Sequence, residues 1–314
     1  KSMARVPRSS SANKGAQGLI HSGPSKGGAS PSPRGALGTL STPRALAVSA
    51  AVFLLVGLYL ARLPLERRAS VLRSHRPCSD AYAQMPAACQ PRVCGSAVID
   101  NFASPTEVSA LRAIASAGMA HGGGTGGPTV LDLVSGALSL GEQFISIYSK
   151  LNSSGAAPIA SEQQLRVYEL LVQRVRETAS GLFGASGLEL ASPTFWSRLD
   201  AAQPPRTTHD QYWHPHLDTE QYQSFTYTAL LYLSDHGSDF TGGLFEFVDE
   251  PKERRTVLPA KGRLLVFTSG AENKHRVTRL RTGERLALTI PFTCDPAAAV
   301  GPGWLGEARA SLRR

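Results

Sequence analysis

The sequence predicts an α+β chain, mostly β, built as a double-sheet jelly roll (a double-stranded β-helix) with supporting helices. Two stretches in its first half carry apolar residues at helical spacing, whereas from Leu188 onward apolar residues alternate with a period of two. Many short strands that follow helices and are separated by Gly and Pro turns are typical of this architecture. An uncharged run behind a basic tail predicts one transmembrane helix in front of the domain.

The first region, residues 1–44, is predicted to be a disordered cytoplasmic tail because it is rich in Ser, Gly, Ala and Pro. It contains seven basic residues and no acidic ones, while the rest of the chain holds 26 basic and 24 acidic residues. The remainder is therefore nearly neutral, and no aromatic residues interleave with the charges of the tail. The net charge of +9 does not indicate nucleic-acid binding.

Residues 45–63 are predicted to be a transmembrane signal-anchor helix. The first 17 of them are uncharged and would span roughly 26 Å as a helix, against ~30 Å for a bilayer core. Leu63 and snorkelling of the flanking arginines cover the difference. A cleaved signal peptide is disfavoured, because 44 residues precede the apolar run. A buried helix of a soluble protein remains the alternative. The cations before the span slightly favour a cytoplasmic N-terminus.

Four cysteines lie near the two ends of the domain. Cys78, Cys89 and Cys94 fall in a predicted stalk, residues 64–94, and Cys294 follows the last strand. Four cysteines so placed predict two disulfides in an oxidising lumen, and three ways of pairing them remain open. A zinc site is the alternative, but the sequence lacks the Cys-x-x-Cys pair that would support it.

Asn152-Ser153-Ser154 is a glycosylation sequon in a predicted loop rich in Gly, Ser and Pro. With the cysteines and the anchor, it indicates a single-pass type II membrane glycoprotein. We expect the endoplasmic reticulum or the Golgi, with the folded domain in the lumen.

Two helices are predicted early in the main domain, which spans residues 95–296. The first, from Pro105 to Gly118, begins with a capping box formed by Ser104 and Glu107. The second, from Glu162 to Leu182, begins with a similar box and carries an apolar stripe. Both are expected to pack against a sheet.

Six strands are predicted in the core of the domain, residues 195–295, from their period-two alternation. In chain order they are Phe195–Leu199, Phe225–Leu233, Leu244–Val248, Arg263–Phe267, Arg276–Leu280 and Arg285–Phe292. The Pro/Gly/Ala-rich residues 297–314 are predicted to form a frayed C-terminal tail.

A metal site is predicted around His216 and Asp218. In an extended strand, residues i and i+2 lie on the same face, so both side chains can reach one point. His275, 59 residues further on and beyond several short strands, supplies a third ligand. Two histidines and a carboxylate leave three octahedral positions open, as in the facial triad of non-haem Fe(II) oxygenases. A lone His-x-Asp sequence more often lies on the surface without binding a metal. The other residues found with it therefore decide whether a metal site is predicted.

Arg285 lies ten residues after His275 in a strand-like run. A cation in an apolar strand is costly to bury unless it is paired, and a guanidinium fork suits a carboxylate held by two hydrogen bonds. The far carboxylate of a bound 2-oxoglutarate is a candidate partner. An outward-facing arginine on a half-exposed strand is the alternative.

Five segments of the second half form an ordered set: Gln211–Asp218, Thr241–Phe247, Pro259–Phe267, His275–Thr278 and Gly283–Thr289. Taken together and in this order, they resemble the prolyl 4-hydroxylase-type Fe(II)/2-oxoglutarate-dependent dioxygenases. The resemblance is tight over residues 195–295 and loose over 96–295.

The resemblance implies an enzyme that hydroxylates a protein or peptide and releases succinate and CO2. It implies Fe(II) held by His216, Asp218 and His275, with O2 as the oxidant and L-ascorbate as a further cofactor. It also implies 2-oxoglutarate held by Arg285 and by the hydroxyl of Tyr232.

This chain departs from many relatives at Ala287, where they have a serine two residues after the arginine. The cosubstrate would then rely on the arginine and on hydroxyls such as Tyr232 or Thr228. His209 and His214 lie near the triad but are not predicted as ligands, and His214 is expected in an exposed approach loop.

Two further groups of side chains near the predicted site are less informative. Tyr212, Trp213 and Phe225 fit a substrate mouth and a core equally well. Asp235 and His236 are expected in a solvated turn.

Three functions remain open from the sequence. The triad and Arg285 favour an active membrane-anchored hydroxylase, and Ala287 favours a catalytically inactive jelly-roll module that binds a metal or a partner. The third is a structural membrane protein whose domain only binds a partner. Succinate formation with Fe(II) separates the first two, and a 95–296 fragment without tight metal binding would favour the third. Neither the substrate nor the oligomeric state follows from the sequence.

Overall fold

The computed structural model describes residues 70–248 and 254–313. The strands of these ranges are β1 (Val71–Arg76), β2 (Cys94–Ile99), β3 (Gly123–Gly124), β4 (Thr129–Leu131), β5 (Ala137–Gly141), β6 (Gln143–Ser146), β7 (Glu189–Leu190), β8 (Phe195–Asp200), β9 (Tyr227–Tyr232), β10 (Phe240–Gly242), β11 (Phe245–Val248), β12 (Arg254–Val257), β13 (Leu264–Thr268), β14 (His275–Val277) and β15 (Leu280–Thr293). The α-helices are α1 (Pro105–Met119), α2 (Ile147–Ser154), α3 (Glu162–Phe183), α4 (Asp218–Gln221) and α5 (Gly306–Ser311). Short 3-10 helices are found at Asp80–Gln84, Thr208–Asp210 and Ala271–Asn273.

The described strands form two sheets. The larger sheet has twelve of them in the spatial order β1-β2-β13-β9-β15-β8-β4-β5-β3, with β7 and β10 paired to β15 and β6 paired to β5. The smaller sheet has the order β12-β11-β14. Nearly all pairs are antiparallel; β3 with β5 is a parallel one.

Strand β13 shows how the period of two divides the apolar residues between two cores. Leu264 and Val266 belong to a buried cluster shared with α1 and α3, whereas Leu265 and Phe267 belong to a second cluster shared with the small sheet. Successive side chains of a strand point to opposite faces. The large sheet therefore carries helices on one face and the small sheet on the other, which makes a mostly-β, jelly-roll-like fold with helices, as predicted.

Helices α1 and α3 begin where the sequence predicts. In α1, Ser104 and Glu107 bond each other's backbone N–H at 2.8 and 3.3 Å, and α3 has the same type of box. Each helix runs one residue beyond its predicted end, and Phe183, not Leu182, completes the buried stripe of α3. Each large apolar side chain so buried stabilises the fold by about 1.5–3 kcal/mol.

One predicted strand is wrong, and several short ones were missed. The single strand expected at Arg276–Leu280 is broken, because the backbone and hydroxyl of Thr278 bond the backbone of Leu244 at 2.8 and 2.9 Å. After this break β15 starts early, at Leu280, where it pairs with β10. Strands β1 to β7, β10 and β12 are mostly too short or too irregular for alternation to reveal them.

The described part of the predicted stalk, residues 70–94, is folded onto the domain. Strand β1 pairs with β2 along its whole length. Two disulfides, Cys78–Cys94 and Cys89–Cys294, select one of the three connectivities left open by the sequence. The expected domain start near residue 95 is therefore too late, since the edge strand and three of the four cysteines precede it.

The predicted fraying of residues 297–314 is also wrong for the described part. Leu305 and Ala308 are buried in the core that carries α3. The guanidinium of Arg309 bonds Glu162 at 3.0 Å and Glu169 at 2.7 and 2.8 Å. Two ion pairs and two apolar contacts fix α5 despite the Pro/Gly-rich approach to it.

The basic tail and the anchor helix predicted at 1–44 and 45–63 lie outside the described residues. None of the helices in 70–248 or 254–313 combines the length and apolarity that crossing a bilayer requires. Asn152 is exposed, but it lies in α2 and not in a loop.

Candidate metal centre

The peptide backbone brings the two predicted histidines side by side. His216 and His275 form an antiparallel bridge, in which each N–H donates to the other's carbonyl at 2.9 and 3.0 Å. Their rings lie 4.5 Å apart, centroid to centroid. A loop before α4 and strand β14, distant in sequence, are thus locked in register at the site.

Hydrogen bonds to backbone carbonyls set the orientation of both imidazoles. Nδ1 of His216 lies 3.0 Å from the carbonyl oxygen of His214, and Nδ1 of His275 lies 2.9 Å from that of Asn273. Because a carbonyl oxygen only accepts, the neutral form of each imidazole carries its proton on Nδ1, and its lone pair is then on Nε2. The Nε2 atoms lie 3.9 Å (His216) and 3.4 Å (His275) from Oδ1 of Asp218.

Asp218, the first residue of α4, is buried and has distinct partners on its two oxygens. Oδ1 faces the histidines, whereas Oδ2 accepts a hydrogen bond from the hydroxyl of Thr228, which contacts Ser269 Oγ at 2.9 Å. Burial raises the pKa of Asp218, but hydrogen bonding and charge from His275, and the bond from Thr228, lower it more. Burial and the nearby His275 lower the pKa of His216. An ionised carboxylate and a neutral imidazole are the forms that bind metals.

Aromatic side chains surround His275, which is 4% exposed. Its ring stacks on Phe245 at 4.7 Å and meets Phe267 at 5.0 Å. Such packing fixes the imidazole and limits the access of water from this side.

The three ligand atoms lie within 4.8 Å of one another. Two imidazole nitrogens and one carboxylate oxygen are the donor set of the facial triad that holds non-haem Fe(II) with positions left open. The residues present therefore fit the metal that the sequence predicted, and Nδ1 protonation on both histidines leaves Nε2 as the ligand atom.

A cavity of about 320 Å³ opens next to the three residues. It lies between the sheets, and polar and aromatic side chains from both the loop before α4 and β15 line it. Its lining includes Arg285, Tyr212, Tyr222, Phe225, Ser197 and Thr289 as well as the three candidate ligands. A small molecule in this cavity can reach the metal position and Arg285 together.

Arg285 is 2% exposed and only partly satisfied. Its Nε donates to the carbonyl of Gly243 at 3.0 Å. Its Nη2 and the hydroxyl of Tyr232 are both buried without a hydrogen-bond partner in residues 70–248 and 254–313. A buried, unpaired guanidinium nitrogen is costly, so this side chain suits an anionic ligand, and the outward-facing alternative is wrong.

The surroundings of Arg285 affect both its charge and the position of its side chain. Burial lowers the pKa of Arg285 and raises the pKa of Tyr232 to about 12, so the phenol stays protonated. Gly243 has a φ of +59°, and an added Cβ would lie 3.0 Å from Cδ of Arg285. A side chain at residue 243 would therefore crowd the guanidinium stem.

The structure distinguishes between the hydroxyls considered as substitutes for the serine absent at Ala287. Ala287 is fully buried opposite Tyr232 on β9 and Ser197 on β8. The hydroxyl proton of Thr228 is donated to Asp218, so Thr228 cannot also donate it to a cosubstrate carboxylate. The ring of Tyr232 lies beneath Arg285, 5.4 Å from its guanidinium carbon, behind the side chains that line the cavity.

Other predicted residues divide into lining and flanking positions. Tyr212 and Phe225 line the cavity, and exposed His214 does so with Nε2 2.7 Å from Gln211 Oε1. Trp213 instead stacks against Arg279, at 3.9 Å.

Asp235 and His236 are half-buried, so the turn predicted to be solvated is only partly so. Asp235 accepts from the backbone N–H of Lys261 at 2.6 Å, and His236 packs on Phe240.

The residues that support the three ligands and Arg285 were not predicted from the sequence. Ser269, which contacts Thr228, and the Gly243 carbonyl, which holds Arg285, were not predicted. Polar Thr228 in a run of apolar strand residues was an available signal, since a hydroxyl buried in a strand needs a partner. A carbonyl has no such signal in sequence.

Three comparisons with known proteins bear on this site. The family model of the 2OG-Fe(II) oxygenase superfamily matches residues 202–292. The 2-oxoglutarate and iron-dependent oxygenase domain-containing protein 3 of Xenopus tropicalis is 43% identical over 235 residues, 73% of this chain and 73% of that protein. Human prolyl 3-hydroxylase 2 is 42% identical over 72 residues, 22% of this chain and 10% of that protein. A Pseudomonas putida prolyl-4-hydroxylase structure is 21% identical at a TM-score of 0.40, covering 64% of this chain and 94% of that one.

The identity and coverage of the Xenopus relative decide the family. The matched region contains the two histidines, the aspartate and the arginine that meet in the cavity. Family membership implies Fe(II), 2-oxoglutarate and O2. The chain belongs to the 2OG-Fe(II) oxygenase superfamily and is an oxidoreductase of the dioxygenase class.

Proposed function

We propose that this protein is a membrane-anchored dioxygenase that uses Fe(II) and 2-oxoglutarate to hydroxylate a protein or peptide. The observation that supports it most strongly is one cavity that joins a His-Asp-His set to a buried arginine with an unpaired Nη2. A metal site alone would suit many functions. The arginine adds a place for a small dianionic cosubstrate.

In this proposal His216, Asp218 and His275 hold the iron through Nε2, Oδ1 and Nε2. Arg285 holds the far carboxylate of 2-oxoglutarate, and we assign the hydroxyl of Tyr232, which has no hydrogen-bond partner in the described residues, to the same carboxylate. When bound, iron and 2-oxoglutarate supply the oxidative chemistry, which consumes O2, releases succinate and CO2, and places one oxygen atom on the substrate.

The chain's own contribution is ligation and orientation. The His214 and Asn273 carbonyls hold the Nδ1 protons, so that Nε2 of each imidazole faces the iron. Thr228 holds the second oxygen of Asp218, which leaves Oδ1 for the metal. Phe245 and Phe267 keep water from one side of the site.

For the substrate, a prolyl peptide is the proposal that the comparisons support. The support is the local identity to human prolyl 3-hydroxylase 2. Aromatic side chains at the cavity, stacked Tyr222 and Phe225 among them, offer a surface on which a pyrrolidine ring can pack. We propose L-ascorbate as an auxiliary reductant, on family resemblance alone.

We also propose that residues 45–63 anchor the chain as a type II membrane protein, with the domain in the lumen of the endoplasmic reticulum or Golgi. Two disulfides and exposed Asn152 support an oxidising compartment. Glycosidase treatment of protein from cells should shift its gel mobility. An unmodified Asn152 together with four free thiols in membranes would favour the cytoplasmic orientation.

The test of the catalytic proposal is uncoupled turnover of 2-oxoglutarate by the full chain. With Fe(II), O2 and 2-oxoglutarate we expect succinate release, and we expect none from His275→Ala. His236→Ala is the matched control, because it removes an imidazole that belongs neither to the three ligands nor to the lining of the cavity. Metal binding without succinate release, with or without candidate peptides, would favour the catalytically inactive module instead.

A further inference from the structure

The segment before the predicted domain reaches the turn that precedes His275. Residues 78–94, here called the N-terminal brace, form a loop closed by the Cys78–Cys94 disulfide and tied by Cys89 to Cys294. Tyr82, in the 3-10 helix of the brace, is 5% exposed. A phenol that leaves water to this extent needs hydrogen-bond partners.

Both partners of the Tyr82 hydroxyl belong to the turn before His275. The oxygen accepts the N–H of Gly270 at 2.7 Å and donates to Oε1 of Glu272 at 2.9 Å. The same Glu272 oxygen accepts from the hydroxyl of Thr268. Residue 270 has no room for a side chain, since a Cβ there would lie 2.7 Å from the phenol oxygen. The turn is therefore shaped around Tyr82.

The turn transmits this constraint to the metal site through Asn273. The Asn273 N–H donates to the carbonyl of Gly270 at 3.1 Å, and its amide side chain donates to Thr268 O at 2.8 Å and Gly95 O at 3.0 Å. Its own carbonyl is the atom that accepts from Nδ1 of His275 at 2.9 Å. Tyr82 and His275 are thus joined by one continuous hydrogen-bonded turn.

We propose that Tyr82 is a positioning residue for His275, which acts by fixing the carbonyl of Asn273. This inference rests on the proposed function of the three ligands as an iron site. The brace is then part of the metal site's support and not a passive stalk. A fragment that begins at residue 95 would lack Tyr82 and should bind metal weakly even if it folds, so weak metal binding by a 95–296 fragment no longer indicates a structural protein.

Tyr227 offers a matched control. Its hydroxyl is also buried and also bonds the brace, donating to the carbonyl of Cys89 at 2.7 Å. It does not bond the turn 270–273 in the described residues. Tyr82→Phe and Tyr227→Phe each delete one buried phenol oxygen from the same region, so that a general loss of stability affects both alike.

The experiment is an anaerobic Co(II) titration of the full chain, followed by the visible absorption of bound Co(II). We expect Tyr82→Phe to raise the Kd for Co(II) about tenfold, the lower end of the range for outer contacts of metal ligands. Tyr227→Phe should stay within about twofold of wild type. At saturating metal, half-saturation by 2-oxoglutarate should be unchanged in Tyr82→Phe, because Arg285 does not contact the turn.

Hydrogen exchange of the metal-free proteins gives a second, independent measurement. The amides of residues 270–275 should exchange about tenfold faster in Tyr82→Phe and unchanged in Tyr227→Phe. Equal Co(II) affinity for wild type and Tyr82→Phe overturns the inference, as does an equal loss in both variants. A wild-type chain that binds no Co(II) refutes the proposed function as well, so the two failures are distinguishable.

Discussion

Removal of the Arg285 guanidinium tests how the cosubstrate is held. Arg285 is 2% exposed, its Nε donates to the carbonyl of Gly243, and its Nη2 makes no hydrogen bond within the described residues. A carboxylate that fills this gap makes a buried, charge-assisted pair. Loss of one member of such a pair typically costs ~3–5 kcal/mol. At ~1.4 kcal/mol per decade this raises the half-saturating 2-oxoglutarate concentration roughly a hundredfold to several thousandfold.

The assay is a titration of 2-oxoglutarate against succinate release for wild type, Arg285→Ala and Arg285→Lys. The lysine variant should recover part of the loss, because it keeps the charge but not the planar fork. Arg281→Ala is the matched control, since Arg281 is an exposed arginine of the same strand. Iron affinity should change little in all of them. Equal half-saturation in the four proteins would refute the assignment of Arg285.

Two further predictions follow from the contacts around the site and the helices. Thr228→Val should weaken Co(II) binding about tenfold, because the second oxygen of Asp218 loses its hydrogen bond; an unchanged Kd would contradict this. The hydrogen bond from Arg309 lowers the pKa of Glu169 in the folded protein. The stability that this pair contributes is therefore fully present above the pKa of Glu169 in the unfolded chain, about 4.3, and is lost as pH falls through its lower pKa in the folded protein. Arg309→Ala should therefore reduce the Tm at pH 7, with a difference from wild type that shrinks at pH 3; a difference independent of pH would contradict the pairing.

The sequence predicted the parts of this molecule that depend on local pattern. Capping boxes and helical spacing placed α1 and α3 to within one residue at each end. Alternation placed the central strands that carry Tyr232 and Arg285. Close spacing, together with the ordered motifs around them, suggested that His216, Asp218 and His275 act together, and the structure brings these three residues to one point.

Contacts between distant residues were beyond the sequence. Cys89 pairs with Cys294 across 205 positions, and Tyr82 bonds a turn 188 residues away. Contacts over such separations produce no periodic pattern in the sequence, so residues 70–94 were predicted to be a stalk. The orphaned Nη2 of Arg285 and its bond to a glycine carbonyl likewise depend on tertiary packing alone.

Anaerobic Fe(II) titration of the metal-free full chain tests the central claim most directly. His214→Ala is the control for His216→Ala, because it removes an exposed imidazole that lines the cavity but is not one of the three ligands, and it keeps the backbone carbonyl of residue 214 that bonds Nδ1 of His216. We predict one Fe(II) per chain for wild type and His214→Ala, and affinity at least a hundredfold weaker for His216→Ala, with the fold retained. One-to-one binding of undiminished affinity in folded His216→Ala would contradict the assignment of His216, Asp218 and His275 as the iron site.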